Sequence, residues 1–365
     1  MSVYPPQSLI RAEAERLRDA FVAAGATRVE ADILLPADTA LDLYGEDIRA
    51  RAFLTDGPNG GEALLRPDFT VPVVEMHMAR GGGTARYAYA GKVFRRQTDD
   101  PHRPAEYYQA GFELFGGEDR AAADTEVFAL FHDLLAPLSP RIVTGDTGLL
   151  TAMVAGLTAS DRRKEALLRH IWRPRRFRAL IARYSGRGTP APRRAALLRA
   201  DDPMTDAGPA IGLRGPDEIA ARIERLRADA AEPPLAETEV ALIDDLLDLE
   251  GSADGALRHL RDVQVDMPAI GPAVDGMARR LDALAARGID PASISFETGH
   301  GRSSMEYYDG FVFSFVLPGR PDLPPLATGG RYDALTRVLG GGRTQPAVGG
   351  VIRPAFCLLG QGMVP

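Results

Sequence analysis

Apolar positions recur at helical spacing over residues 7–24, which predicts an amphipathic helix that Ser8 can cap and Gly25 can end. Residues 30–36 lead into Pro36, and 63–74 form an apolar stretch interrupted by Arg66-Pro67-Asp68. Two strands are predicted at 85–95 and 107–115, and the polar, turn-rich link at 97–104 makes them antiparallel neighbours. A helix is predicted from Asp119 to about Leu135, followed by a short strand around Val143.

From about 148 to 285 the texture changes to Ala, Leu, Arg and Asp at helical period. Segments 217–230, 236–250, 253–263 and 272–287 all carry an amphipathic stripe. Strand character returns at 293–297, 305–317 and 347–352, with Gly/Pro-rich links between. The pattern is a β-rich module, 1–150 and 288–365, split by a helical insertion at 151–287.

Composition narrows the class. A 365-residue chain with 45% apolar and 25% charged residues can bury a sizeable core and is not globally disordered. Its net charge of -7 argues against a surface built for nucleic acid. Cys357 stands alone, so no disulfide framework or cysteine metal site is expected. The six histidines show no metal-type pairing, and no metal or cofactor is expected. No targeting segment or apolar run of membrane-spanning length is read, which predicts a soluble cytoplasmic protein. Lysine occurs only at Lys92 and Lys164, so arginine carries the positive charge and individual arginines count only where a motif places them. Residues 162–199 hold thirteen Arg or Lys and one acid, Glu165. That run reads either as a grip for RNA, a phosphorylated ligand or an acidic partner, or as a solvated helical face.

The chemistry concentrates elsewhere. Gln109, Gly111 and Glu113 share one strand face, since side chains at i, i+2 and i+4 align. Polar groups on an inner strand face are costly unless a ligand or partner satisfies them. Asp68 can supply an anion for a ligand ammonium, and Arg95 a cation for its carboxylate. Each taken singly reads first as a structural hydrogen bond.

As a set, Arg66-Pro67-Asp68-Phe69-Thr70, Phe94-Arg95, Gln109-Ala110-Gly111-Phe112-Glu113, Tyr307-Tyr308 and Gly329-Gly330-Arg331-Tyr332-Asp333 are specific. Over roughly 7–150 and 290–360 the chain resembles histidyl-tRNA synthetase, and more closely the synthetase-like regulatory subunits of ATP phosphoribosyltransferase. The resemblance implies an α+β class II aminoacyl-tRNA synthetase-like core, with a mostly antiparallel sheet flanked by helices. It implies that Asp68, Thr70, Gln109 and Glu113 contact a bound histidine, and that Tyr307 and Tyr308 line its imidazole pocket. Gly329 to Asp333 reads equally as strand-to-helix packing or as a ligand element.

The departures from the family pattern bear on activity. The position of a catalytic Arg, four residues before the first Tyr of the pair, is Ser303, with Arg302 beside it. The family's Phe-Arg-x-Glu, whose Glu addresses adenine, reads Phe94-Arg95-Arg96-Gln97, and a second loop Arg is Ala105, although Arg103 matches one. The closing Glu-Arg, whose Arg holds the ATP phosphates, is Ala355-Phe356. A guanidinium holds a phosphate with two charge-assisted bonds and a phenyl ring holds none, so several such losses predict that adenylation is gone. The chain stops at Pro365 after this motif, so no C-terminal anticodon-binding domain is expected. The resemblance then implies a noncatalytic regulatory subunit acting on the first step of histidine biosynthesis and its feedback by histidine. Its implied partner is a short-form ATP phosphoribosyltransferase catalytic subunit, in a hetero-octamer built on regulatory homodimers. An active aminoacylating enzyme and a tRNA-binding paralogue are the alternatives.

Overall fold

Strands β5 (Ala85–Phe94) and β6 (Glu106–Phe115) form the axis of the molecule, pairing antiparallel from Ala85↔Phe115 to Phe94↔Glu106. The computed structural model describes residues 4–363 except 39–50, 58–59, 98–103, 190, 206–207, 210 and 302–306. On β6 the alternation sends Ala110, Phe112 and Leu114 to one face and Gln109, Gly111 and Glu113 to the other. The first face meets helices α1 (Gln7–Ala23) and α3 (Arg120–Leu135) in a core that includes Phe21, Phe128 and Phe131. The second face meets helix α2 (Thr70–Ala79), with Phe69, Val73, Val74, Tyr87 and Tyr89 in a separate cluster.

The sheet has nine strands in the order β1-β5-β6-β12-β11-β10-β7-β9-β8. Here β1 is Thr27–Arg28, β7 Arg141–Asp146, β8 Glu250–Ser252, β9 Ser295–Glu297, β10 Phe311–Val316, β11 Ala327–Arg331 and β12 Ala347–Ile352. Only the β1–β5 and β7–β9 pairings are parallel, so the sheet is mostly antiparallel. A small antiparallel sheet, β2 (Leu34–Pro36), β4 (Glu62–Leu65) and β3 (Leu54–Asp56), stands beside it.

Several expectations are corrected. Pro6, not Ser8, caps α1, and it does so without a side-chain bond, because the helix begins one residue before Ser8. Gly25 does follow the helix with φ +98°, a conformation that glycine adopts without a Cβ clash. The strand expected over 305–317 begins only at Phe311. Strand β11, Ala-Thr-Gly-Gly-Arg, was not anticipated, since its glycines mask strand propensity. Residue 250, expected at a helix end, lies in β8 and joins the sheet edge beside β9.

Between β7 and β9 the chain is otherwise mostly helical: α4 (Thr147–Gly156), α5 (Asp161–Arg169), α6 (Pro174–Tyr184), α7 (Pro192–Arg199), α8 (Pro216–Ala231), α9 (Glu237–Leu247), α10 (Ala253–Asp266) and α11 (Gly271–Ala286). The basic run finds internal partners. Arg163, Arg183 and Arg194 converge on Asp229 of α8, Arg178 meets Asp248, and Arg187 meets Asp244. Arg163 is buried and also donates to the Pro233 carbonyl at 2.7 Å, so part of this charge is structural. The chain closes with α12 (Asp333–Leu339) and α13 (Pro354–Gly360).

Candidate functional site

A cavity of about 470 Å³ opens on the second face of the sheet. Asp68, Thr70, Arg95, Gln109, Tyr307 and Tyr308 line it, so six of the seven residues picked from the sequence are gathered at one place. Two roomier hollows, of about 700 and about 820 Å³, contain none of the seven. Chemistry, rather than size, singles out the smaller one.

The Arg66-Pro67-Asp68 turn is pinned before α2. Arg66 lies over the Phe69 ring at 4.0 Å and donates to the Lys92 carbonyl at 2.8 Å. Asp68 is buried, accepts from the Val71 amide at 3.2 Å, and faces the Arg95 guanidinium at 4.0 Å. Burial raises its pKa, opposed by Arg95 and the amides of Val71 and Thr70. Arg95 donates Nε to the Pro67 carbonyl at 2.7 Å, which fixes it against the same turn.

Glu113 sits behind the cavity wall. Its carboxylate is fully buried and accepts three hydroxyls, from Thr70 at 3.0 Å, Tyr89 at 2.7 Å and Tyr332 at 2.5 Å. Burial pushes its pKa up to about 7 against those three hydrogen bonds, with Asp68 adding to the rise. The same burial holds the Tyr89 and Tyr332 hydroxyls well above their usual range, so both stay donors. Space for this carboxylate comes from Gly349 on the paired strand, where a Cβ would lie 1.7 Å from Glu113 Oε2. Gly111, expected to leave a gap between Gln109 and Glu113, instead lies under the Tyr89 ring, which would be 2.3 Å from an added Cβ.

Gln109 is also buried, and its Oε1 has no hydrogen-bond partner among the described residues. Tyr307 and Tyr308 stand side by side, ring centroids 4.6 Å apart, at the far wall. Burial, then the charge of Asp68, lifts the Tyr307 hydroxyl to about 12.

Other lining groups carried no signal in isolation. His300 bonds Ser314 through Nε2 at 2.9 Å, and burial lowers its pKa to about 4, with Arg141 contributing. Arg353, just past β12, reaches the cavity from within the closing motif. Arg331 pairs with Asp124 and Asp333, and Tyr332 bonds Glu113, so the Gly-Gly-Arg-Tyr-Asp segment does packing work and also supports the site from behind. Ala355 and Phe356 turn away from the cavity. Ala355 packs with Ile10, and the Phe356 ring lies 6.1 Å from that of Tyr4. Ser303, Arg302 and Arg103 lie outside the described residues. Among the described residues no group of three or more His, Cys, Asp or Glu is placed to hold a metal ion, and no helix is long and apolar enough to cross a membrane.

Sheet order and helix placement define a class II aminoacyl-tRNA synthetase-like protein. The family model described as histidyl-tRNA synthetase matches residues 2–207 and 218–355. An ATP phosphoribosyltransferase regulatory subunit of Allorhizobium ampelinum is 34% identical over 355 residues, covering 91% of this chain and 93% of the relative. One from Brucella anthropi is 33% identical over 345 residues, covering 88% of this chain and 89% of that one. Among solved structures, an ATP phosphoribosyltransferase regulatory subunit/histidyl-tRNA synthetase from Bacillus halodurans superposes with a TM-score of 0.68 at 20% identity, over 99% of this chain and 81% of that one. The chain belongs to the family of ATP phosphoribosyltransferase regulatory subunits, built on the histidyl-tRNA synthetase fold.

Proposed function

We propose that this chain is a noncatalytic subunit that assembles with a short-form ATP phosphoribosyltransferase, supports its activity in the first step of histidine biosynthesis, and carries histidine feedback. The observation that bears most weight is the split fate of the ancestral site. The amino-acid cavity keeps its polar lining, while Phe356, where an ATP-gripping arginine is expected, is folded into the core beside Tyr4. An aromatic ring packed there can neither reach nor neutralise a triphosphate. The cavity accepts histidine: Asp68 and the free Gln109 oxygen suit an ammonium, and the two tyrosines flank an imidazole. The complex is a hetero-octamer on regulatory dimers, in the cytoplasm. A partner alters activity only by binding active and inactive conformations unequally, so histidine in this cavity acts by shifting that balance.

Co-expression with a short catalytic subunit tests the proposal. The two co-purify at the mass of an octamer, transferase activity requires both, and histidine lowers it. The chain alone gives no histidine-dependent ATP–pyrophosphate exchange. Robust exchange would restore the aminoacylating enzyme; salt-sensitive retention of tRNA without the transferase subunit would restore the RNA-binding paralogue.

A further inference from the structure

We propose that Arg353 is the carboxylate anchor of the cavity, so that the site takes a free zwitterionic α-amino acid and rejects amines that lack the carboxylate. The inference rests on the amino-acid reading above and adds to it the residue that reads one end of the ligand. Ile352 pairs with Ala110 on the core side of the ladder, so the next residue, Arg353, leaves β12 beside Gln109 on the cavity side. Its Nη1 donates to the Pro325 carbonyl at 2.9 Å and its Nη2 to Thr328 Oγ1 at 3.3 Å, both neutral acceptors. Among the described residues no carboxylate pairs with it. Burial lowers its pKa and Arg95 adds to the drop, the setting in which a guanidinium gains most from an arriving anion.

The remaining charges of the cavity already have partners. Asp68 faces Arg95 at 4.0 Å, and Glu297 faces Arg141 at 3.6 Å. A single positive charge left unmatched among the described residues suits a carboxylate better than a phosphate monoester, which carries nearly two negative charges at neutral pH. The neighbouring Gln109 Oε1 is buried without a donor, a cost that a ligand ammonium removes. An unmatched cation and an orphaned acceptor side by side are the complement of the two ends of one α-amino acid.

Calorimetry with histidine and with histamine, which lacks only the carboxylate, tests the assignment on the full chain. The wild type is expected to prefer histidine by about tenfold or more, the worth of a charge-assisted bond. Arg353→Gln is expected to erase that preference while leaving histamine binding within about twofold, a pattern that general loosening of the fold does not produce. Arg353→Lys is expected to recover part of the preference, and it decides the matter if the glutamine variant does not fold. A preference that survives in Arg353→Gln, or is absent in the wild type, overturns the anchor while the amino-acid cavity stands. A wild type that binds neither ligand removes the cavity reading, and the anchor with it.

Discussion

Glu113 shows how much one residue's role depends on its neighbours. The strand alternation places it on the inner face, and the resemblance casts it as a contact for a bound histidine. In the fold it accepts three protein hydroxyls and lies behind Thr70, which itself lines the cavity. Its folded pKa, about 7, lies above the ordinary carboxylate value of 4.5, so the folded state binds the proton more tightly than the unfolded chain. Stability from this group is therefore full below about 4.5 and is lost as pH rises towards about 7, where it levels off. Scanning calorimetry of the wild type against Glu113→Gln isolates the effect. The wild type is expected to lose ground to the variant across that window and to hold a constant offset above it. A pH-independent offset throughout would mean that the carboxyl titrates normally.

At the scale of elements, local pattern was a good guide where one face of a strand or helix differs from the other. Strands β5, β6 and β12 lie within a residue or so of where alternation and turn chemistry place them, and Asp119 caps α3 by accepting from the Ala122 amide. The signal fails where an element is buried on all sides or built of glycine. Helix α2 buries Thr70, Val71, Pro72, Val73, Val74, His77 and Met78, leaving no polar stripe to mark its period. Strand β12 makes a sharper demand: Gly349 must be glycine because Glu113 occupies its Cβ position. Gly349→Ala is expected to destabilise by more than about 2 kcal/mol in urea unfolding, since neither the buried carboxylate nor the central strand can yield cheaply. A cost under about 0.5 kcal/mol would show that the Glu113 side chain swings aside freely.

At the scale of the whole molecule, the long helical segment returns to the sheet through one buried ion network. Arg280 of α11 donates to Asp124 of α3 at 3.2 Å and to Asp146 at the end of β7 at 3.0 Å, with its guanidinium over Phe311 at 4.0 Å. Arg331 of β11 completes the cluster on Asp124 at 2.7 Å. The elements α3, β7, α11 and β11 are thus held together by largely buried charges. Arg280→Met is expected to cost about 3–5 kcal/mol in urea unfolding, because it leaves buried carboxylates short of their cation. A loss below about 1 kcal/mol would mean that Arg331 alone satisfies them.

The amino-acid sequence by itself determined, through local periodicity, which segments alternate and which coil, and its motifs carried the family resemblance that groups Asp68, Thr70, Gln109, Glu113, Tyr307 and Tyr308. Only the tertiary structure decided that Glu113 stands behind the wall, that Phe356 is sealed in the core, and that Arg353 joins the cavity with no carboxylate partner among the described residues. A period states which face a side chain leaves from, whereas its burial and charge balance are set by what the fold brings opposite it.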